Sequence, residues 1–218
     1  MDKKLRVAIN GFGRIGRAFF KVALDHPEIE IVAVNDLGDV HNLAYLLQYD
    51  TVYKVSSFDV HAEVHSVDGV DGSPEGNRGT ENKTNEQYLV IEGDIEAKVR
   101  VVQEKDPLNL PWREMDIDVV VESTGLFTSY DKAQAHIEAG AKHVVISAPA
   151  KPYSAEGSAG QGQEEVHGET ILLSVNEEKF GTTNLTSNAS CTTNASSPLI
   201  AILDEDIGIE KALLNTVH

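Results

Sequence analysis

A chain of 218 residues holds one cysteine, Cys191, set among small polar neighbours: Ser187-Asn188-Ala189-Ser190 before it and Thr192-Thr193-Asn194 after it. A lone cysteine is most often an inert apolar filler, but this is not the composition of a core. The stretch LIAILDEDIG, 199–208, has helical apolar spacing and ends at Gly208, so Cys191 falls at or just before a helix N-terminus. There the helix dipole favours thiolate over thiol, and the thiolate is the nucleophile. Such a group also needs a proton acceptor or a cationic neighbour. Eight histidines are available, and spacing alone does not choose among them.

A second set of residues points to an anionic ligand. Asn10-Gly11-Phe12-Gly13-Arg14-Ile15-Gly16 contains G-x-G-x-x-G. That pattern is weak in isolation and specific between a strand and a helix. Gly11 permits the tight turn, Gly13 lets backbone approach a pyrophosphate, and Gly16 lets helix and strand pack closely. The free N–H groups and positive dipole end of the helix then face the phosphates. Asp36 follows Gly16 by 20 residues. A carboxylate there accepts ribose hydroxyls and repels a 2′-phosphate, which predicts NAD over NADP.

These residues need a scaffold to position them. LRVAIN, 5–10, reads as a buried strand, 14–25 as a helix closed by Pro27, 29–36 as a strand and 40–50 as a helix. IDVVVEST, 117–124, is a strand, 131–140 a helix, and HVVISAPA, 143–150, a strand, while 87–104 resembles a hairpin. The alternation predicts an α/β fold, a Rossmann-type doubly wound parallel sheet. Two Gly-rich polar stretches, 67–87 and 150–169, read as surface loops without chemistry of their own.

The totals exclude several classes. There are 35 acidic against 18 basic residues, a formal charge of −17, with no long basic cluster. Nucleic acid and anionic membrane surfaces reward the opposite sign. One cysteine forms no intrachain disulfide, no apolar run reaches bilayer length, and the N-terminal apolar segment is too Gly-interrupted for a signal peptide. The expectation is a cytoplasmic protein. No motif calls for a metal.

Taken together, GFGRIGR (11–17), ND (35–36), ESTGLF (122–127), VVISAPAK (144–151), SNASCTTN (187–194) and GIEKALLNTVH (208–218) resemble the phosphorylating glyceraldehyde-3-phosphate dehydrogenases. The resemblance implies that Cys191 is the nucleophile and His218 its general base. It implies cofactor contacts along Asn10, Gly11, Phe12, Gly13, Arg14, Ile15 and Gly16, at Asp36, and at Ser123, Thr124 and Gly125. It gives Ser190 and Thr192 a part in binding inorganic phosphate. Competing roles stay open: Ser123 and Thr124 as caps of the next helix, Ser190 as an N-cap, Arg14 as a solvated residue, and His218 as a frayed terminus.

The implied substrates are glyceraldehyde 3-phosphate and inorganic phosphate, and the implied assembly is a homo-oligomer, a tetramer in that family. Erythrose-4-phosphate dehydrogenase, or a non-catalytic NAD-binding or assembly module, are the alternatives. Ala195 stands where many family members carry a second cysteine. The family's substrate domain continues beyond the position of His218. Residues 1–190 are therefore expected to form the NAD-binding domain, and 191–218 the incomplete start of an α+β catalytic domain: one helix, then a strand at LLNTVH.

Overall fold

A computed structural model describes residues 3–66, 85–150 and 166–217. The greater part of both Gly-rich stretches, and His218, lie outside these residues. In chain order the elements are β1 (Leu5–Asn10), α1 (Arg14–Leu24), β2 (Ile29–Asn35), α2 (Val40–Gln48), β3 (Tyr49–Asp50), β4 (Lys54–Val55), β5 (Asp59–Ser66), β6 (Asn85–Glu92) and β7 (Ala97–Val102). They continue with β8 (Val119–Glu122), α3 (Tyr130–Glu138), β9 (His143–Ile146), β10 (Glu169–Thr170), β11 (Leu185–Ser187) and α4 (Cys191–Asp206).

One sheet runs β10-β11-β9-β8-β1-β2-β7-β6-β5, and β3 pairs only with β4. Every pairing from β10 across to β7 is parallel. The last two pairings are antiparallel; β6 and β7 are joined by residues 93–96, a connection too short for a parallel crossover. The expected hairpin is thus present, and β5 joins it as a third strand.

β1 is buried from Val7 to its end, as a strand covered on both faces must be. Its side chains alternate between two cores. Val7 and Ile9 enter a cluster with Phe20 and Ala23 of α1 and with Leu43 and Leu47 of α2. Ala8 enters a cluster with Trp112 and with Tyr130 and Ala133 of α3. Helices therefore cover both faces of a mostly parallel sheet. Past β1 the chain moves to the β2 side and later returns to β8 on the other side. The C-terminal ends of β1 and β8 consequently flank a topological switch point, where such sheets hold ligands.

The expected strand at 213–218 is not formed over the described residues. Residues 211–217 carry no regular structure, and Leu213 and Val217 are 96% and 94% exposed. A strand needs a neighbour for its N–H and C=O groups, and these residues pair with none of the strands described. α4 likewise has no buried residue among its sixteen.

Candidate active site

The turn after β1 is tied to both neighbouring strands. Gly11 N–H donates to Asn35 O at 2.8 Å, and Ser123 N–H donates to Asn10 O at 2.7 Å. Gly11 has φ +90°, and a Cβ there would lie 2.6 Å from Thr124 N. A Cβ on Gly16 would lie 2.2 Å from Gly11 O, so α1 packs directly on the turn. At Gly13 a Cβ would meet nothing within 4 Å. Gly13 is the N-cap of α1, whose first turn has neither a side-chain cap nor an acidic residue. This helix end thus has no side-chain cap and open space over Gly13, as a pyrophosphate site requires.

Asp36 continues from β2 at the rim of this opening. Its Oδ2 accepts from Phe12 N–H at 2.8 Å and its Oδ1 from Gly38 N–H at 2.9 Å, which fixes the carboxylate's direction. Arg14 and Ile15 are exposed beside it. Phe12 turns its side chain inward: the residue is 1% exposed and its ring meets Phe20 edge-on at 5.5 Å, which leaves its backbone on the turn. An aromatic ring next to two glycines is better placed under α1 than in water.

A buried polar network underlies the cradle. Asn35 Nδ2 donates to Asn10 Oδ1 at 2.7 Å, and Asn10 Nδ2 donates to Glu122 Oε2 at 2.6 Å. Trp112 Nε1 is only a donor, so His136 Nδ1 accepts from it at 3.1 Å. The ring proton of His136 then sits on Nε2 and is donated to Glu122 Oε2 at 3.0 Å. The other oxygen, Oε1, accepts from Thr124 N–H at 2.8 Å and from the Thr124 hydroxyl. Four donors thus hold one carboxylate that is 2% exposed. Asn10 is committed to this floor rather than to the open side. Sequence reading missed Glu122 and His136 as a pair. A carboxylate closing the apolar run VVV, and a histidine three residues after Ala133 on the inward face of α3, were the available signal.

Ser123, Thr124 and Gly125 follow β8 at the switch point. Thr124 Oγ1 accepts from Leu126 N–H at 3.0 Å, and the N-cap of α3 is Ser129, so neither Ser123 nor Thr124 caps that helix. Gly125, at φ +76°, opens onto space.

At the end of β11 the chain turns through Asn188-Ala189-Ser190 into α4. Cys191 is its first residue and is exposed, and Ser190 is its N-cap, accepting from Thr193 N–H at 3.1 Å. Ser190 Oγ also lies 2.8 Å from Thr193 Oγ1, so its capping role is filled in this structure. Thr192 is half-buried beside it.

The family described as "Glyceraldehyde 3-phosphate dehydrogenase, NAD binding domain" matches residues 5–130, more than half of the chain. The chain belongs to this family. The glyceraldehyde 3-phosphate dehydrogenase NAD-binding domain thus spans β1 to the start of α3, including the glycine turn, Asp36 and the ESTG turn. NAD is its cofactor, and the open helix end and directed carboxylate fit it.

Similarity extends further along the chain. "Glyceraldehyde-3-phosphate dehydrogenase 2" of Bacillus subtilis (strain 168) is 41% identical over 217 residues, 99% of this chain and 52% of its own length. The Geobacillus stearothermophilus glyceraldehyde-3-phosphate dehydrogenase is 41% identical over 216 residues, 98% of this chain and 53% of its own length. That of Eremothecium gossypii is 40% identical over 215 residues, with 98% and 53% covered. The chain spans about half the length of the curated relatives it matches.

Proposed function

We propose that this chain is the NAD-binding part, with the nucleophile-bearing start of the catalytic part, of a phosphorylating glyceraldehyde-3-phosphate dehydrogenase. The observation that carries this reading is an alignment along the C-terminal edge of the sheet. β2, β1, β8, β9 and β11 are neighbours in that order. Their ends present Asp36, the glycine turn, Thr124 and Cys191 in succession. From β1 to β11 is three strand steps of about 4.8 Å, roughly 14 Å in all. A dinucleotide with its adenosine ribose at Asp36 and its pyrophosphate at α1 extends its far end toward Cys191.

In this reading the Cys191 thiolate attacks the aldehyde carbon of glyceraldehyde 3-phosphate, forming a carbon–sulfur bond and a thiohemiacetal. NAD, when bound, accepts the hydride from that carbon. The resulting thioester is cleaved by inorganic phosphate, which returns the thiolate of Cys191 and releases the acyl phosphate. The backbone N–H of Cys191, at the N-terminus of α4, stabilises the developing oxyanion, with Thr192 beside it for the attacking phosphate. His218, outside the described residues, takes the thiol proton. We assign the protein to the cytoplasm and to a homotetrameric assembly. Among the described residues no helix is long and apolar enough to cross a membrane.

The test is Cys191→Ser in the full-length enzyme. Turnover of glyceraldehyde 3-phosphate is expected to fall to background while NAD binding is retained, because an alcohol is far less ionised than a thiol. Turnover within tenfold of the parent enzyme would overturn the assignment.

A further inference from the structure

The turn that delivers Cys191 contains the one backbone position near it that an L-residue disfavours. Ala189 has φ +62° and is 7% exposed, so its methyl group is held inside the protein in the left-handed region. Such conformations persist only where surrounding contacts over-determine them, and they concentrate at functional sites.

Two side chains supply those contacts. Ser187 is 1% exposed, and its hydroxyl uses its whole hydrogen-bonding capacity on backbone. It donates to Ala148 O at 2.6 Å and accepts from Ala189 N–H at 3.0 Å and Ala150 N–H at 3.3 Å. Residues 148–150 follow β9, so one hydroxyl joins the ends of two neighbouring strands to the turn. From the other side, Asn194 Nδ2 donates to Asn188 O at 2.6 Å and to Ser190 O at 3.0 Å, folding the first turn of α4 back onto the residues before it. Asn188 N–H donates to Ile146 O at 3.1 Å, which completes the attachment.

We infer that Ser187 and Asn194 are positioning residues for Cys191, holding the left-handed turn at Ala189 that sets the thiol at the first position of α4. The inference rests on the reading of Cys191 as the nucleophile. The turn is anchored in the sheet, whereas no residue of α4 is buried, so the device acts within this chain. If Ser187 is lost, three backbone groups lose their partner and Ala189 relaxes to negative φ. Ser190 and Cys191 turn with it, and the thiol leaves the helix axis. A glycine at 189 makes the left-handed conformation free of its Cβ penalty and preserves the turn without the hydroxyl.

The measurement is alkylation of Cys191, the only cysteine, by iodoacetamide and by iodoacetate. The ratio of the anionic to the neutral reagent's rate constant reports the positive field at the helix end, a quantity that a loss of stability alone does not move. In the unsubstituted 218-residue chain the ratio exceeds that of a neutral thiol such as N-acetylcysteinamide. Equality there would overturn the nucleophile reading itself, before any variant is made.

Ser187→Ala is expected to lower the ratio by roughly two- to fivefold, the size of one helix-end electrostatic contribution. Ala189→Gly alone leaves it unchanged, and the double variant recovers to within about a factor of two of the unsubstituted chain. NAD binding reports whether each variant is folded. A folded Ser187→Ala chain with the unsubstituted ratio overturns the inference, as does a fall that Ala189→Gly fails to rescue. Should Ser187→Ala abolish NAD binding, the exposed Asn194→Ala takes its place. A fall rescued by Ala189→Gly supports the inference, and an unchanged ratio overturns it.

Discussion

Gly11 and Thr124 meet backbone to backbone: a Cβ on Gly11 would sit 2.6 Å from Thr124 N and 2.8 Å from Ser123 C. The cofactor turn after β1 and the ESTG turn after β8 are therefore one packed unit. Glu122, reaching both Thr124 and Asn10, fixes that unit from below.

Gly11→Ala separates contact from conformation when set beside Gly125→Ala. Both positions have positive φ, but only Gly11 faces backbone that cannot yield. Gly11→Ala is expected to cost roughly 2–5 kcal/mol of stability, left-handed strain plus overpacking, and to weaken NAD binding at least tenfold. Gly125→Ala should cost about 1–2 kcal/mol, the strain alone. Thermal denaturation and NAD titration of the two variants check this, and equal costs would refute the packing argument.

Glu122→Gln tests the buried carboxylate. Whichever way the amide is turned, its NH₂ faces two groups that donated to an oxygen, and buried donors lose their acceptor. The expected loss is about 2–4 kcal/mol, roughly 4–16 °C in melting temperature for a chain of this size. A loss under about 0.5 kcal/mol, the ordinary range of a surface change, would mean that the four donors do not define the site.

Much of this was legible in the sequence, for different reasons in different places. The β1–α1–β2 unit announced itself because strand, glycines and acid have fixed offsets. Cys191 was placed at a helix start because the apolar spacing after it is helical. The inward turn of the Phe12 ring was not legible, because a motif carries residue names but not the direction of a ring. The Glu122–His136 pair was hidden because its partners lie 14 residues apart and on different elements. The strand at LLNTVH was expected from its apolar residues, but a strand is defined by a partner, which local pattern does not supply.

Asp36→Ala addresses cofactor choice. Phe12 N–H and Gly38 N–H aim the carboxylate, so a 2′-phosphate meets a fixed like charge. NAD is expected to bind in preference to NADP. The substitution should narrow that gap at least tenfold, about 1.4 kcal/mol. Titrations at matched ionic strength decide it, because both ligands are anions facing a chain of charge −17.

At the opposite edge of the sheet Lys142 Nζ lies 2.6 Å from Asp118 Oδ1 and 3.0 Å from Asp116 Oδ1, with Lys3 Nζ 3.2 Å from Asp116 Oδ2. Hydrogen bonding to Lys142 holds both carboxyls below their ordinary range and raises the Lys142 ammonium above its own. A depressed carboxyl stabilises the fold above its unfolded pKa, about 4, and loses that contribution as pH falls through its folded value. A raised ammonium contributes below its unfolded pKa, about 10.4, and loses it as pH rises through its folded value. Lys142→Met should therefore lower the melting temperature between these limits, with the gap to the parent closing on the acid side. A gap that persists at pH 2 would point to lost packing instead.

The last prediction contrasts α4 with the sheet. Leu199, Ile202 and Ile207 are 59%, 57% and 78% exposed, whereas Ile117 is fully buried among Trp112 and Val144. An exposed apolar side chain has almost no transfer energy to lose, so Ile207→Asp is expected to change the stability of this chain by no more than about 0.5 kcal/mol. Ile117→Ala should cost roughly 2–5 kcal/mol through lost burial and the cavity left behind. Amide hydrogen exchange should agree. Protection is expected to be high in β1, β2 and β8 and low from the second turn of α4 to residue 217, since local opening there exposes little new apolar surface. Protection of α4 equal to that of β1 would mean that something covers the helix in solution.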